Sequence, residues 1–468
     1  MLTWNPVARA ILALVVIVTP LAGQMPATRS ASLAARVDSI ATQVLQRTGV
    51  PSASVAVVSH GQLAYAQAYG AAKLDPKVSA TRDMRYAIGS ISKQFTAAAI
   101  LLLQEEGKLS LDDPVSRFVP GLIRGNEVTI RQLLSHTSGY QDFWPQDYVM
   151  PMMLKPVSPQ SIMDRWAKQP LDFDPGTRWQ YSNTNYTIAG AVVEKASGMP
   201  FFQFVQTRIL NPLGLGTAKD FDTNPRVVDA TGYLRYGLGP LRPAPDAGSG
   251  WMWAAGELAM TPSDLAKWDI SLIRQSLLKP ESYRALTQDV LLKNGAGTAY
   301  GLGVSVEMQS GRLVIEHSGE VSGFTAENMV FPADSAAVIV LTNQDAAPAA
   351  SAIAQQIADV LFATEDSLTE GRTARARTIF EGLQRGTIDR SLFTSNANAY
   401  FSDQALKDFA ASLAALGAPT NFVQTGERSR GGMLLRIYRV SFPDRTLRVW
   451  TYEMPDGKLE QYQVAPQG

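Results

Sequence analysis

Strand-like segments stand near both ends of the stretch from Val37 to Asp345, and the sequence between them is helical; this arrangement limits the fold more than any other feature. Ser54 to Val58 and Leu63 to Ala68 read as two short strands around Ser59-His60-Gly61-Gln62, a hairpin signal. Gly303 to Met308, Arg312 to Glu316, Thr325 to Val330 and Ala336 to Leu341 read as four more. Between them, Ser90 to Glu106 carries Phe95, Ala99, Leu102 and Leu103 at helical spacing, with Gly107 as its stop. Val128 to Leu134, Ser161 to Ala167, Thr187 to Ser197 and Pro262 to Ile273 also read as helices, separated by Gly- and Pro-rich loops such as Leu238 to Gly250. Strands at both ends imply one sheet whose edges come from both termini. That is an α+β organisation and not an alternating βαβ one.

The chain of 468 residues allows two to four domains at roughly 100 to 200 residues each. Arg9 followed by the apolar run Ala10 to Val18, then Thr19-Pro20 and the small residues Ala22 and Gly23, has the grammar of an export signal. The alternative is a retained anchor, although the run is short and proline-broken. Gln24 stands where a lipoprotein would carry its acylated cysteine. We expect a leader over residues 1–29 and an exported protein, periplasmic or secreted, with no membrane span after its removal. Thr364 to Thr373 turns polar and reads as a linker. Beyond it, Ser402 can cap a helix with Leu406, Phe409, Leu413 and Leu416 on one face. Met433 to Phe442, Thr446 to Met454 and Lys458 to Val464 alternate like strands, the last two joined by Pro455-Asp456-Gly457. We expect a main domain over 30–365 and a small C-terminal α+β domain over 366–468. Arg372, Arg375 and Arg377 read as a solvated helix face.

Forty-two basic against forty-two acidic residues give no field for gathering phosphates, so nucleic acid is not an expected partner. The absence of cysteine excludes thiol nucleophiles, disulfides and thiolate-bound zinc or iron–sulfur clusters. No P-loop, dinucleotide fingerprint, H-E-x-x-H or EF-hand sequence is present, nor the G-x-S-x-G elbow. The histidines His60, His136 and His317 are widely spaced, and neither a metal nor a cofactor is expected. What remains is Gly89-Ser90-Ile91-Ser92-Lys93 at the start of a helix. Residues three apart share a helix face with Cβ atoms about 5–6 Å apart, so the Lys93 amine can accept the Ser90 proton. The helix N-terminus favours the resulting alkoxide. Ser276-Leu277-Leu278-Lys279 fits the same spacing, but it closes a helical run before Pro280 and reads as a helix end.

Ser90 is distinguished by its company: Tyr181-Ser182-Asn183 and His317-Ser318-Gly319 follow in order. With these motifs the sequence resembles the serine β-lactamase and penicillin-binding-protein superfamily, especially its branch of class C β-lactamases, esterases and D-amino-acid peptidases. Arg131 to Gly139, Trp253 to Leu258 and Tyr300 to Gly303 resemble family segments as well. The resemblance implies an antiparallel sheet flanked by helices, with a helical subdomain. It also implies two-step acyl transfer with Ser90 as nucleophile, Lys93 as proton acceptor and Tyr181 as second member of the base system. Asn183 would bind the acyl side chain, while the N–H groups of Ser90 and Glu320, the residue after Gly319, would form the oxyanion hole. A tyrosine beside a lysine cation is expected to have a lowered pKa. Many penicillin-binding members carry lysine where His317 stands; a mostly neutral histidine weakens carboxylate recognition, favouring an ester or peptide-like substrate over a β-lactam.

Other readings accompany these. Ser90 alone reads as a helix N-cap, and Tyr181 and Asn183 alone as turn residues. Lys293-Asn294-Gly295 is a rival third motif in a glycine-rich stretch. His136 reads as a structural hydrogen-bonder, and Trp251 and Trp253 either line a pocket or fill a core. Two further classes stay open: a sensor that is acylated but not turned over, and an adaptor that kept the fold and lost the chemistry.

Overall fold

The computed structural model describes residues 27–146, 148–309, 311–362 and 367–466. Most of the expected leader therefore lies outside the described residues. Among the described residues no helix is long and apolar enough to cross a membrane. The chain divides into two compact units between Leu361 and Phe362.

The first unit is built on a seven-stranded antiparallel sheet. Its strands are β1 (Ser52–Ser59), β2 (Gln62–Leu74), β3 (Lys77–Ser79), β4 (Ser305–Gln309), β5 (Arg312–Val321), β6 (Phe324–Phe331) and β7 (Ala336–Thr342), in the order β3-β2-β1-β7-β6-β5-β4. Strands from both ends do share one sheet, and they meet in its centre, where β1 pairs β7 from Ala53↔Thr342 to Val58↔Ala337. β1 and β7 are buried along nearly their whole length, which suits their runs of Val, Ile and Ala. The β1–β2 hairpin turns through His60 and Gly61, both at positive φ, the backbone a tight type I′ turn requires. Helix α1 (Ala27–Thr48) packs on β1 and β2.

At the heart of the unit lies α2 (Lys93–Glu105), entered through a single 3₁₀ turn, Gly89–Ser92. Its first eleven residues are all buried, so it is enclosed on every side and belongs in the core. Ile100, Leu101 and Leu103, each at 0% exposure, contribute roughly 2 kcal/mol apiece. Polar side chains fix its register: Gln94 donates to Asn328 Oδ1 (3.0 Å) and accepts from Trp268 Nε1 (2.7 Å), while Asn328 donates to Asp269 (2.7 Å). Trp268 and Asp269 belong to α4 (Pro262–Arg274), capped by Thr261, which packs on β1, β2 and β7. On its other side α2 meets α3 (Asn183–Ser197), which ends at Gly198 in the left-handed conformation. The decoy pair is structural: Ser276 follows the α4 C-cap, and Lys279 is the N-cap of Pro280–Thr287.

The second unit holds α6 (Ser367–Gln384), which follows α5 (Ala349–Phe362), then α7 (Asp403–Leu413) and a four-stranded antiparallel sheet. Its strands in order are β8 (Asn421–Arg430), β9 (Met433–Ser441), β10 (Thr446–Glu453) and β11 (Leu459–Pro466). Ser402 caps α7 as expected. The stretch read as a linker is helical from Ser367 onward. Arg375 corrects the reading of a solvated arginine face: its guanidinium bonds Gly457 O (3.1 Å) and Glu453 (3.0 Å). Glu453 also holds Arg436 (2.7 Å), which is 1% exposed and reaches Glu427 as well (2.7 Å).

Candidate active site

Ser90 occupies the second position of the 3₁₀ turn, whose N-cap is Ile88, so its hydroxyl caps no helix. Instead it lies 2.9 Å from Lys93 Nζ and is hydrogen-bonded to the Tyr181 phenol. Lys93 has 0% exposure, and its ammonium also donates to Asn183 Oδ1 (2.9 Å) and to the carbonyl of Ala255 (2.8 Å). All three acceptors are neutral. Burial therefore lowers its pKa to about 7, only partly offset by the charge of Asp142. Once neutral, the amine keeps two N–H bonds to Asn183 and Ala255 and turns its lone pair to Ser90 Oγ.

Tyr181 departs from the expected direction. Burial raises its pKa well above the ordinary value, and the bond with Ser90 offsets only part of this. The phenol is thus protonated at neutral pH, while Lys93 is the group whose neutral form is accessible. His136 stacks on the Tyr181 ring with centroids 4.2 Å apart and accepts the Ser182 N–H through Nδ1 (3.1 Å). This is the structural hydrogen-bonding role the sequence pointed to. It fixes the backbone between Tyr181 and Asn183.

The third motif lies inside β5, which runs on to Val321 instead of stopping at Glu316. β4 pairs β5 only as far as Glu316↔Ser305, so His317 to Val321 have no strand on that side. The nucleophile turn occupies the gap. A Cβ on Gly319 would sit 1.9 Å from Ile88 O, and one on Gly89 (φ +53°) would sit 2.9 Å from Glu320 N. Only glycine lets the two backbones come this close, which brings the Glu320 N–H next to the turn that carries Ser90. The Glu320 carboxylate points elsewhere and accepts from Ala346 N (2.8 Å).

His317 is 6% exposed, with both ring nitrogens engaged. Nδ1 donates to Ser318 O (2.5 Å), so Nε2 accepts from the Tyr300 hydroxyl (2.8 Å). Burial and the nearby Lys93 charge lower its pKa to about 4. It is neutral at pH 7, and no N–H is left over for a substrate. The rival Lys293 lies in a hairpin, its N–H on Gly176 O. Of the tryptophans, Trp251 lines the cleft, whereas Trp253 packs where a Cβ on Gly190 would meet its ring at 3.0 Å.

Sequence reasoning missed Asp142. Its Oδ1 accepts from Asn183 N (2.9 Å), Asn183 Nδ2 (3.2 Å) and Trp144 N (3.2 Å), which holds the Asn183 amide with its oxygen towards Lys93. Nothing local marks it, because its partner is forty-one positions away. Asp142 lines a cleft of about 520 Å³ together with Ser90, Tyr181, Asn183, Trp251 and His317. Among the described residues no group of His, Asp or Glu side chains could hold a metal ion.

A serine with a buried lysine at hydrogen-bond distance, set against an antiparallel strand beneath an all-helical flank, defines a serine hydrolase of the β-lactamase/transpeptidase fold. The chain belongs to the Beta-lactamase family, whose model matches residues 37–362. It is 29% identical over 308 residues to Penicillin-binding protein 4* of Bacillus subtilis, a match covering 62% of this chain and 68% of that protein. With Protein flp of Staphylococcus aureus it shares 29% over 324 residues, 66% of this chain but only 62% of that one. Among solved structures it is similar to a D-stereospecific amidohydrolase from Streptomyces (28% identity, TM-score 0.60, covering 70% of this chain and 98% of that one). The octameric penicillin-binding protein homologue from Pyrococcus abyssi, at 22% identity and TM-score 0.63, covers 93% of this chain and 96% of its own and shows likeness of fold.

Proposed function

We propose that this chain hydrolyses an ester or peptide-like substrate, one with D-amino-acid character among the candidates, through an acyl-enzyme at Ser90. The observation that carries the reading is the fully buried Lys93 amine 2.9 Å from Ser90 Oγ, surrounded by neutral acceptors. Neutral Lys93 takes the Ser90 proton as Oγ attacks the substrate carbonyl. The oxyanion is met by the Ser90 and Glu320 N–H groups, each donor contributing on the order of 3 kcal/mol. The tetrahedral species collapses, and the leaving group receives a proton relayed from Lys93 through the Tyr181 phenol. Water then attacks the acyl ester, giving its proton to Lys93, and Ser90 is released. The neutral His317, with no free N–H, supports a weaker hold on a β-lactam carboxylate than a lysine would give, so efficient β-lactamase or penicillin-binding activity is the second reading.

Incubation with a chromogenic short-chain ester is expected to give a burst, steady turnover and a mass adduct at Ser90. A chromogenic cephalosporin is expected to be turned over at least about 100-fold more slowly. Ser90→Ala should lower ester turnover by about 10⁴-fold. Labelling that survives this substitution refutes the nucleophile assignment, and a burst without turnover favours an acylated sensor. The leader-like N-terminus supports export, which N-terminal sequencing of the mature protein would test.

A further inference from the structure

Among its described lining residues the cleft carries the acids Asp142, Glu320 and Asp345 and no lysine or arginine. An adjoining chamber, which shares Met252, Val321 and Ser322 with the cleft, adds Asp222 and Asp246 and again no Lys or Arg. Lys93 lies behind the wall with its N–H groups spent on Ser90, Asn183 and Ala255. His317 has both ring nitrogens engaged, as described.

The acids are not equivalent. Glu320 bonds Ala346 N, and Asp345 Oδ2 accepts from Gly323 N (2.9 Å). Asp222 is 5% exposed and bonds Gly250 N (2.7 Å) and Met252 N (3.0 Å). Asp142 accepts three N–H bonds at Oδ1, two of them from Asn183, while Oδ2 has only a 3.4 Å contact with Asn183 Nδ2. Asn183 stands between Asp142 and Lys93, and both Asp142 and Asn183 line the cleft that Ser90 opens into. A carboxylate there attracts an ammonium and repels another carboxylate.

On the hydrolase reading above, we propose that Asp142 is a specificity-determining residue that binds an amino group on the acyl portion of the substrate. The enzyme then prefers amine-bearing acyl donors and rejects those carrying a carboxylate at that place.

The full-length protein is assayed on phenylalanine p-nitroanilide and its N-acetyl and N-succinyl derivatives, in both D and L forms. The expected order of kcat/KM is free amine above N-acetyl above N-succinyl, with steps of roughly 10-fold that shrink as salt is added. Asp142→Asn lowers turnover of every substrate by loosening Asn183, but the amine to N-acetyl ratio should fall towards one, which a purely structural role would not produce. Binding is read without turnover by calorimetry on Ser90→Ala, where 2-phenylethylammonium should bind at least about 10-fold tighter than 3-phenylpropionate. Equal affinities, a preference for the carboxylate, or a preference untouched by Asp142→Asn overturns the proposal. If the short-chain ester is also not turned over, the hydrolase reading fails, and the calorimetry still decides the role of Asp142.

Discussion

Lys93 shows how one side chain becomes a base through removal of its surroundings. Its ordinary pKa would leave almost none of it neutral at pH 7, and burial among neutral acceptors brings the value to about 7. Ester hydrolysis should therefore rise with pH along a limb of apparent pKa near 7, measured as kcat/KM. Lys93→Arg should flatten that limb and cost about 10³-fold or more, because a guanidinium does not deprotonate in this range. The same depression links to stability. The unfolded chain binds the lysine proton between about pH 7 and the ordinary lysine value and the folded chain does not, so this group makes stability rise with pH across that window. His317 acts in the same sense lower down. Its folded value of about 4 lies below the ordinary histidine value, so between the two the unfolded state binds the extra proton and stability falls on acidification. His317→Gln should reduce the loss of melting temperature between pH 6.5 and 4, read by circular dichroism.

At the scale of elements, the nucleophile turn and β5 form one device, and the two glycines that face each other set its spacing. Gly319→Ala would drive a methyl into Ile88 O and separate Glu320 N–H from Ser90. Ester kcat is expected to drop by about 100-fold while far-ultraviolet circular dichroism stays unchanged; a drop of under threefold would show that this approach does not set the oxyanion geometry. These glycines also explain what was legible in the sequence. β1 and β7 announce themselves through Val- and Ile-rich runs buried on both faces, whereas β6 carries Glu327 and Asn328 within a fully buried strand. The end of β5 does not announce itself, because Ser318-Gly319-Glu320 lacks strand propensity and is held by its neighbours. β8 was missed for a similar reason: Asn421 to Arg430 is polar and interrupted by a register shift between Gln424 and Gly426. The Ser90, Lys93, Tyr181 and Asn183 cluster was legible as motifs, whereas Asp142 and the Tyr300–His317 bond exist only once distant segments meet.

For the whole molecule, each of the two units has buried apolar residues of its own among the described residues, and so its own source of stability. The second unit depends on Glu453, which is partner to both Arg375 and the buried Arg436. Glu453→Gln leaves Arg375 without its carboxylate partner and Arg436 with Glu427 alone, and should cost about 2 kcal/mol, the scale of hydrogen bonds to charged groups. Hydrogen exchange is expected to accelerate across β8–β11 while the amides of α2 stay protected. Equal acceleration in both units would show that their cores share one unfolding transition.

The central pairing of β1 with β7 also dictates when the enzyme can exist. Ser90 emerges early in synthesis, but the strand it leans on and the strand that closes the sheet are made more than two hundred residues later. The first half of the chain holds the nucleophile and its base, but of the two proposed oxyanion donors it has only the Ser90 N–H and lacks that of Glu320. Closing so long a loop before the core is complete makes folding slow. A chain that ends before Thr342 has no complete partner for β1 and cannot close the sheet against which the nucleophile turn is packed.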